Sequence, residues 1–196
     1  PREIRNGFIM VMLYPFLNVE TFFPPIERML PPQGLAMTPR RIPLSTVGIP
    51  RGISNLAESG LGAPLALSPH PPDDETRQQI IPTAHRYRIG EIMEAVRYYY
   101  AQTGRRVTLE YTLLRGVNDH GWQARALAGL FKGMSVHMNL IPWNPWEGAP
   151  HQGSPKAQIL KFAAILEQQG IPTSVRWSRG RDVGAACGQL ALQQPA

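Results

Sequence analysis

The chain has a single cysteine, Cys187, among its 196 residues. One thiol makes no internal disulfide, no four-cysteine zinc site and no three-cysteine iron–sulfur site, so a disulfide-stapled secreted scaffold is excluded. Lysine is scarce too: Lys132, Lys156 and Lys161 stand alone among 20 basic residues, and the rest are arginine. No apolar run reaches the roughly 18 residues that a membrane span needs. The opening Pro1-Arg2-Glu3-Ile4-Arg5 shows neither an initiating methionine nor a signal-peptide pattern, and reads as a start inside a longer protein. Three signatures are also missing: the Gly-x-Ser-x-Gly elbow, the Gly-Lys-Ser/Thr phosphate loop and paired-histidine zinc spacing. No metal ligands are assigned.

What is present suits a folded domain. The apolar share is 43%, enough for a core, and 20 prolines argue for many loops. The net charge is +6 and is carried largely by arginine, whose guanidinium fork suits phosphate; charge alone leaves open both a nucleic-acid partner and a plain codon bias toward arginine.

Short apolar runs at 7–13, 41–46, 63–68, 106–114, 135–141 and 173–177 read as strands. In the fourth, Val107, Leu109 and Tyr111 alternate with Thr108, Glu110 and Thr112, which assigns two faces. Between the strands lie helical stripes. Ile89, Ile92, Met93, Val96 and Tyr100 share one face and stop at Gly104. Ile159, Phe162, Ala163 and Leu166 share another, with Ser154-Pro155 expected as the N-cap pair and Gly170 as the stop. Asp119 is expected to cap a third helix ending near Lys132. Strand, loop and helix alternate, which predicts parallel strands covered by helices.

Ligands of such folds sit at the carboxyl ends of the strands. Ser45, Ser68, His70 and Asn144 follow or end strand candidates there. Hydroxyl, imidazole and amide groups without an acidic pair suit holding a polar organic ligand better than hydrolysing one. Cys187 lies in a glycine-rich segment with Arg179 and Arg181 nearby, a context that favours a thiolate. Glu110 is a lone carboxylate without an assigned role. Trp122 and Tyr98 to Tyr100 are expected to pack, in the core or at the surface, rather than to stack on bases.

Several segments then resemble, in order, one family. They are Arg41-Ile42-Pro43-Leu44-Ser45-Thr46-Val47-Gly48, Leu65-Ala66-Leu67-Ser68-Pro69-His70, Glu110-Tyr111 with Gly116-Val117-Asn118-Asp119, Asn139 to Pro145, and Arg179-Gly180 through Ala185-Ala186-Cys187-Gly188-Gln189-Leu190. They resemble the carboxyl-terminal part of the radical S-adenosylmethionine methyltransferases that methylate C2 of an adenine in 23S ribosomal RNA.

The resemblance implies an α/β fold: an incomplete (β/α)6 barrel with parallel strands, lacking the first strand and the cluster loop. It implies a partial barrel over 1–178 and a segment over 179–196 carrying the methyl-accepting Cys187. It makes Ser45, Ser68, Pro69, His70 and Asn144 contacts of S-adenosylmethionine, with Pro69 contributing only backbone or shape. In the family a 4Fe–4S cluster cleaves a second S-adenosylmethionine, and the resulting radical activates the methyl group on the cysteine for addition to C2. Ribosomal RNA is the implied partner, transfer RNA stays open as a second one, and the arginines would face phosphates around a flipped adenine.

The family's Cys-x3-Cys-x2-Cys loop and second cysteine have no counterpart here and would lie upstream of Pro1. Where the family has Gly-Met-Gly-Glu-Pro, this chain has Val11-Met12-Leu13-Tyr14-Pro15, and tyrosine supplies no carboxylate. Pro24-Pro25 falls where a helix is expected, and Pro69 and Pro71 interrupt a region expected to be regular. A non-catalytic truncated or decayed copy that keeps an RNA- or nucleoside-binding surface is the alternative. An ordinary α/β enzyme would need an acid–base pair that the sequence does not offer.

Overall fold

The computed structural model describes residues 14–30, 36–145 and 148–177. The expected strand at 7–13 and the whole 179–196 segment, Cys187 included, lie outside the described residues. Seven helices are described: α1 (Tyr14–Leu17), α2 (Val19–Met29), α3 (Pro50–Glu58), α4 (Asp74–Ile80), α5 (Ile89–Thr103), α6 (Gly121–Leu130) and α7 (Lys156–Gln168). Five strands, β1 (Leu44–Thr46), β2 (Leu65–Leu67), β3 (Val107–Leu113), β4 (Val136–Pro142) and β5 (Thr173–Val175), form one sheet in the order β1-β2-β3-β4-β5. Pairing is parallel between β1 and β2, β2 and β3, and β4 and β5, with a helix in each connection, so the parallel α/β class read from the sequence is observed.

The described residues divide into two compact units. The first holds the described residues up to Pro69 with Asp73–Leu109 and Gly133–Val136; the second holds His70–Pro72, Glu110–Lys132 and the described residues from His137 on.

In the first unit, α3 buries Ile53 and Leu56, and α5 buries Ile92, Met93, Val96 and Tyr99. These positions recur at helical spacing, which is why one stripe of each helix is apolar. Gly104 ends α5 at φ 60°, a left-handed conformation open to glycine at little cost, and its N–H bonds to the Tyr100 carbonyl at 2.9 Å. Tyr99 is core, and its hydroxyl donates to the Ala63 carbonyl at 3.0 Å. Tyr98 is partly exposed and donates to Glu58 at 3.0 Å.

Helix α2 runs through Pro24 and Pro25, against the expectation of a break. The prolines cost the bonds to the Glu20 and Thr21 carbonyls, but their fixed φ is helical. Burial of Phe23 and Ile26 on one face offsets the loss.

Strand β3 buries alternate residues from Val107 to Leu113, as its sequence predicts, and its residues from Glu110 on belong to the second unit. Tyr111 stacks on Phe162 of α7 with ring centroids 5.3 Å apart. Trp122 lies at the surface.

Two caps differ from expectation. The N-cap of α6 is His120, whose N–H is held by the Gln123 side chain at 3.0 Å; Asp119 instead accepts from the Gly116 N–H at 2.9 Å. The N-cap of α7 is Pro155, because the Ser154 hydroxyl donates to Asp119 Oδ2 at 2.7 Å and is unavailable to the helix. The two expected capping residues satisfy each other.

Candidate functional site

In the first unit, Ser45 sits in the middle of β1, buried, in register with Ala66 of β2. Past the strand, the Gly48 N–H bonds to Thr46 Oγ1 at 3.1 Å with φ 108°, and a Cβ there would meet Ile92 Cδ1 at 2.6 Å. Only glycine fits that turn, which explains the glycine in the Ser45-to-Gly48 motif. Ser68 follows β2 directly, half-buried, and its N–H bonds to the Thr46 carbonyl at 2.8 Å. Ser45 and Ser68 are thus brought to adjacent strand ends.

A residue that the sequence reading passed over holds these turns. Arg77 of α4 is 1% exposed, and is the one buried arginine among the described residues. Its Nε donates to the Pro69 carbonyl at 2.9 Å, Nη2 to the Val47 carbonyl at 2.5 Å and Nη1 to the Tyr87 carbonyl at 3.3 Å. The turns after β1 and β2 therefore hang on one guanidinium. Burial lowers its pKa and the nearby Asp74 carboxylate opposes that shift.

In the second unit, His70 adopts φ 52°, a left-handed conformation uncommon outside glycine. Its ring lies 6.2 Å from that of Tyr111, tilted 45°. Asn144, just past β4, is buried.

The Gly116-to-Asp119 motif has a structural use there. Asn118 is fully buried, its Oδ1 accepts the Leu114 N–H at 2.7 Å, and its Nδ2 donates to the Thr112 carbonyl at 2.8 Å. The Tyr111 hydroxyl donates to the Asn118 carbonyl at 2.8 Å. A side chain thus closes the ladder where β3 ends. The Gln158 side chain donates to the Asp119 carbonyl, and Leu114 bridges antiparallel to Gly153.

Glu110 of β3 has partners. Its Oε1 accepts from Asn139 Nδ2 at 3.0 Å and lies 3.7 Å from Arg176 Nη1. Burial pushes the carboxyl pKa up, while the Asn139 bond and the Arg176 charge pull the other way. A raised folded-state pKa means that the folded chain holds this proton where the unfolded chain has lost it. Stability should therefore fall as pH rises from the ordinary glutamate value through the raised one. Denaturant melts across that window should show a shallower fall for Glu110→Gln than for the wild type.

Among the described residues no group of three His, Cys, Asp or Glu side chains could hold a metal ion, and no helix is long and apolar enough to cross a membrane.

Solved structures define the class. A radical SAM methyltransferase from Sphaerobacter thermophilus matches with TM-score 0.88 and 42% identity, over 94% of this chain and 54% of that one. A domain of pyruvate-formate lyase-activating enzyme from Bacteroides vulgatus shares the fold, with TM-score 0.66 and 13% identity. The fold is that of the radical SAM methyltransferases, which agrees with a partial barrel.

The curated relatives narrow this. The probable dual-specificity RNA methyltransferase RlmN of Thermus thermophilus is 65% identical over all of this chain and 55% of its own length. The protein of that name from Deinococcus deserti is 54% identical over all of this chain and 57% of its own. The chain belongs to this RNA methyltransferase family, as the resemblance read from its motifs implied. It spans about half the length of the curated relatives it matches. No family model matches.

Proposed function

We propose that this chain is the S-adenosylmethionine-binding and methyl-carrying part of an RNA methyltransferase that modifies C2 of an adenine in 23S ribosomal RNA. The 65% identity along the whole chain to a protein named as an RNA methyltransferase carries the reading. The relatives are named dual-specificity, which favours transfer RNA as a second substrate. Exposed arginines would then meet phosphates.

Ser45, Ser68, Pro69, His70 and Asn144 are the proposed S-adenosylmethionine contacts. Buried Ser45 and Asn144, and a histidine held at positive φ, fit a polar nucleoside whose hydroxyls and amine need partners. Cys187 is the proposed methyl acceptor. Its thiolate sulfur forms a bond to the methyl carbon, the sulfonium–methyl bond breaks, and S-adenosylhomocysteine leaves.

A 4Fe–4S cluster does not fit the residues of this chain. It requires three thiolates, and the sequence holds one. The chain by itself should therefore show no iron–sulfur absorbance after anaerobic reconstitution and should methylate no RNA. Cluster absorbance would overturn this.

Tyr14, in the place of the family's carboxylate, favours the second reading, a non-catalytic copy that keeps the nucleoside surface. The two readings part on S-methylation of Cys187, read by peptide mass spectrometry after production beside the rest of a family enzyme. A methylated cysteine supports the first; an unmodified thiol supports the second.

A further inference from the structure

We propose that the second carboxylate oxygen of Glu110 is a ligand acceptor that takes a neutral hydrogen-bond donor from an adenosine moiety. The inference rests on the nucleoside-binding reading above and adds to it a residue on a different strand.

Oε1 of Glu110 already has Asn139 and Arg176 as partners, whereas Oε2 is buried and has no hydrogen-bond partner among the described residues. Buried carboxylate oxygens are nearly always hydrogen-bonded, so an orphan marks a place where a partner belongs. The face is suited to a polar ligand. Tyr111, next along β3, points to the side stacked on α7, and Glu110 points to the opposite side with Asn139. Asn139 is in register with Ser174 of β5, and the Ser174 hydroxyl pairs with His137 Nε2 at 3.0 Å. Glu110, Asn139, His137 and Ser174 thus form a polar patch across three strands.

Charge selects the kind of donor. The guanidinium of Arg176 already balances the carboxylate, so a second cation would be in excess and a neutral N–H or O–H suffices. Adenosine offers both, in its exocyclic amine and its ribose hydroxyls. The proposed reaction involves two adenosines, that of S-adenosylmethionine and that of the RNA target.

The test titrates the full chain with S-adenosylhomocysteine and, separately, with an RNA hairpin bearing an unpaired adenosine. Glu110→Gln retains an oxygen for Asn139 but sets an NH2 group where Oε2 stands, donor against donor. Binding should weaken by about tenfold or more in one arm, with an unfolding temperature no lower than wild type, and the weakened arm names the adenosine. Equal affinities in both arms overturn the inference, a water then being the partner of Oε2. A folded wild type that binds neither ligand overturns the nucleoside-binding reading instead.

Discussion

Replacing Arg77 by methionine should lower the unfolding free energy by about 3–5 kcal/mol, read as a shift of the urea midpoint at unchanged slope. Methionine fills much of the volume of the arginine stem but leaves the carbonyls of Val47, Pro69 and Tyr87 without their donor. Each buried orphan costs on the order of 1–3 kcal/mol. Relaxation of the turns toward water recovers part of the sum. Arg77→Lys should recover only part of the loss, because an ammonium is a point donor and cannot reproduce a planar fork reaching three segments. A loss below about 1 kcal/mol for the methionine variant would mean that the turns after β1 and β2 hold themselves. Those turns carry Ser68 and Pro69 and follow the strand that holds Ser45, three of the proposed S-adenosylmethionine contacts.

The second large effect belongs to Asn118. Asn118→Ala should cost about 2–4 kcal/mol, since it orphans the Leu114 N–H and the Thr112 carbonyl in a fully buried position. Asn118→Asp separates the two halves of the clamp. A carboxylate still accepts from Leu114 but faces the Thr112 carbonyl acceptor to acceptor. It should fall below wild type at neutral pH and recover as acid protonates it, because the protonated form donates again. Equal stability of the alanine variant and wild type in a thermal melt would show that the end of β3 needs no side-chain closure.

The sequence discloses most where a single periodicity decides the outcome. The alternation from Val107 to Leu113 allows one pairing of faces, and the structure shows it. The stripe of α5 and its stop at Gly104 are equally local: 3.6-residue spacing buries the apolar face, and the glycine takes the left-handed turn. The order of the family motifs, from Arg41 onward, is legible in the sequence alone, and the curated relatives agree with it.

What stayed hidden depends on partners far away in the chain. Asp119 and Ser154 each look like a cap by themselves, yet they are 35 residues apart and bond to each other. Arg77 reads as a surface residue in the polar run Asp74-Glu75-Thr76-Arg77. Its burial follows from three carbonyls delivered by three separate loops, which no local pattern announces. Glu110 had no role in the sequence because its partners are distant in the chain, Asn139 on β4 and Arg176 just past β5. Pro24 and Pro25 mislead for the opposite reason: the local penalty is real, but burial of Phe23 and Ile26 outweighs it.

Isothermal titration of the folded chain with S-adenosylhomocysteine bears most directly on whether these strand ends form a nucleoside site. Saturable binding to one site is expected, weakened by about tenfold in Ser45→Ala and in Asn144→Ala, each variant still melting cooperatively. Heats that never saturate, from a chain that still melts cooperatively, would contradict it.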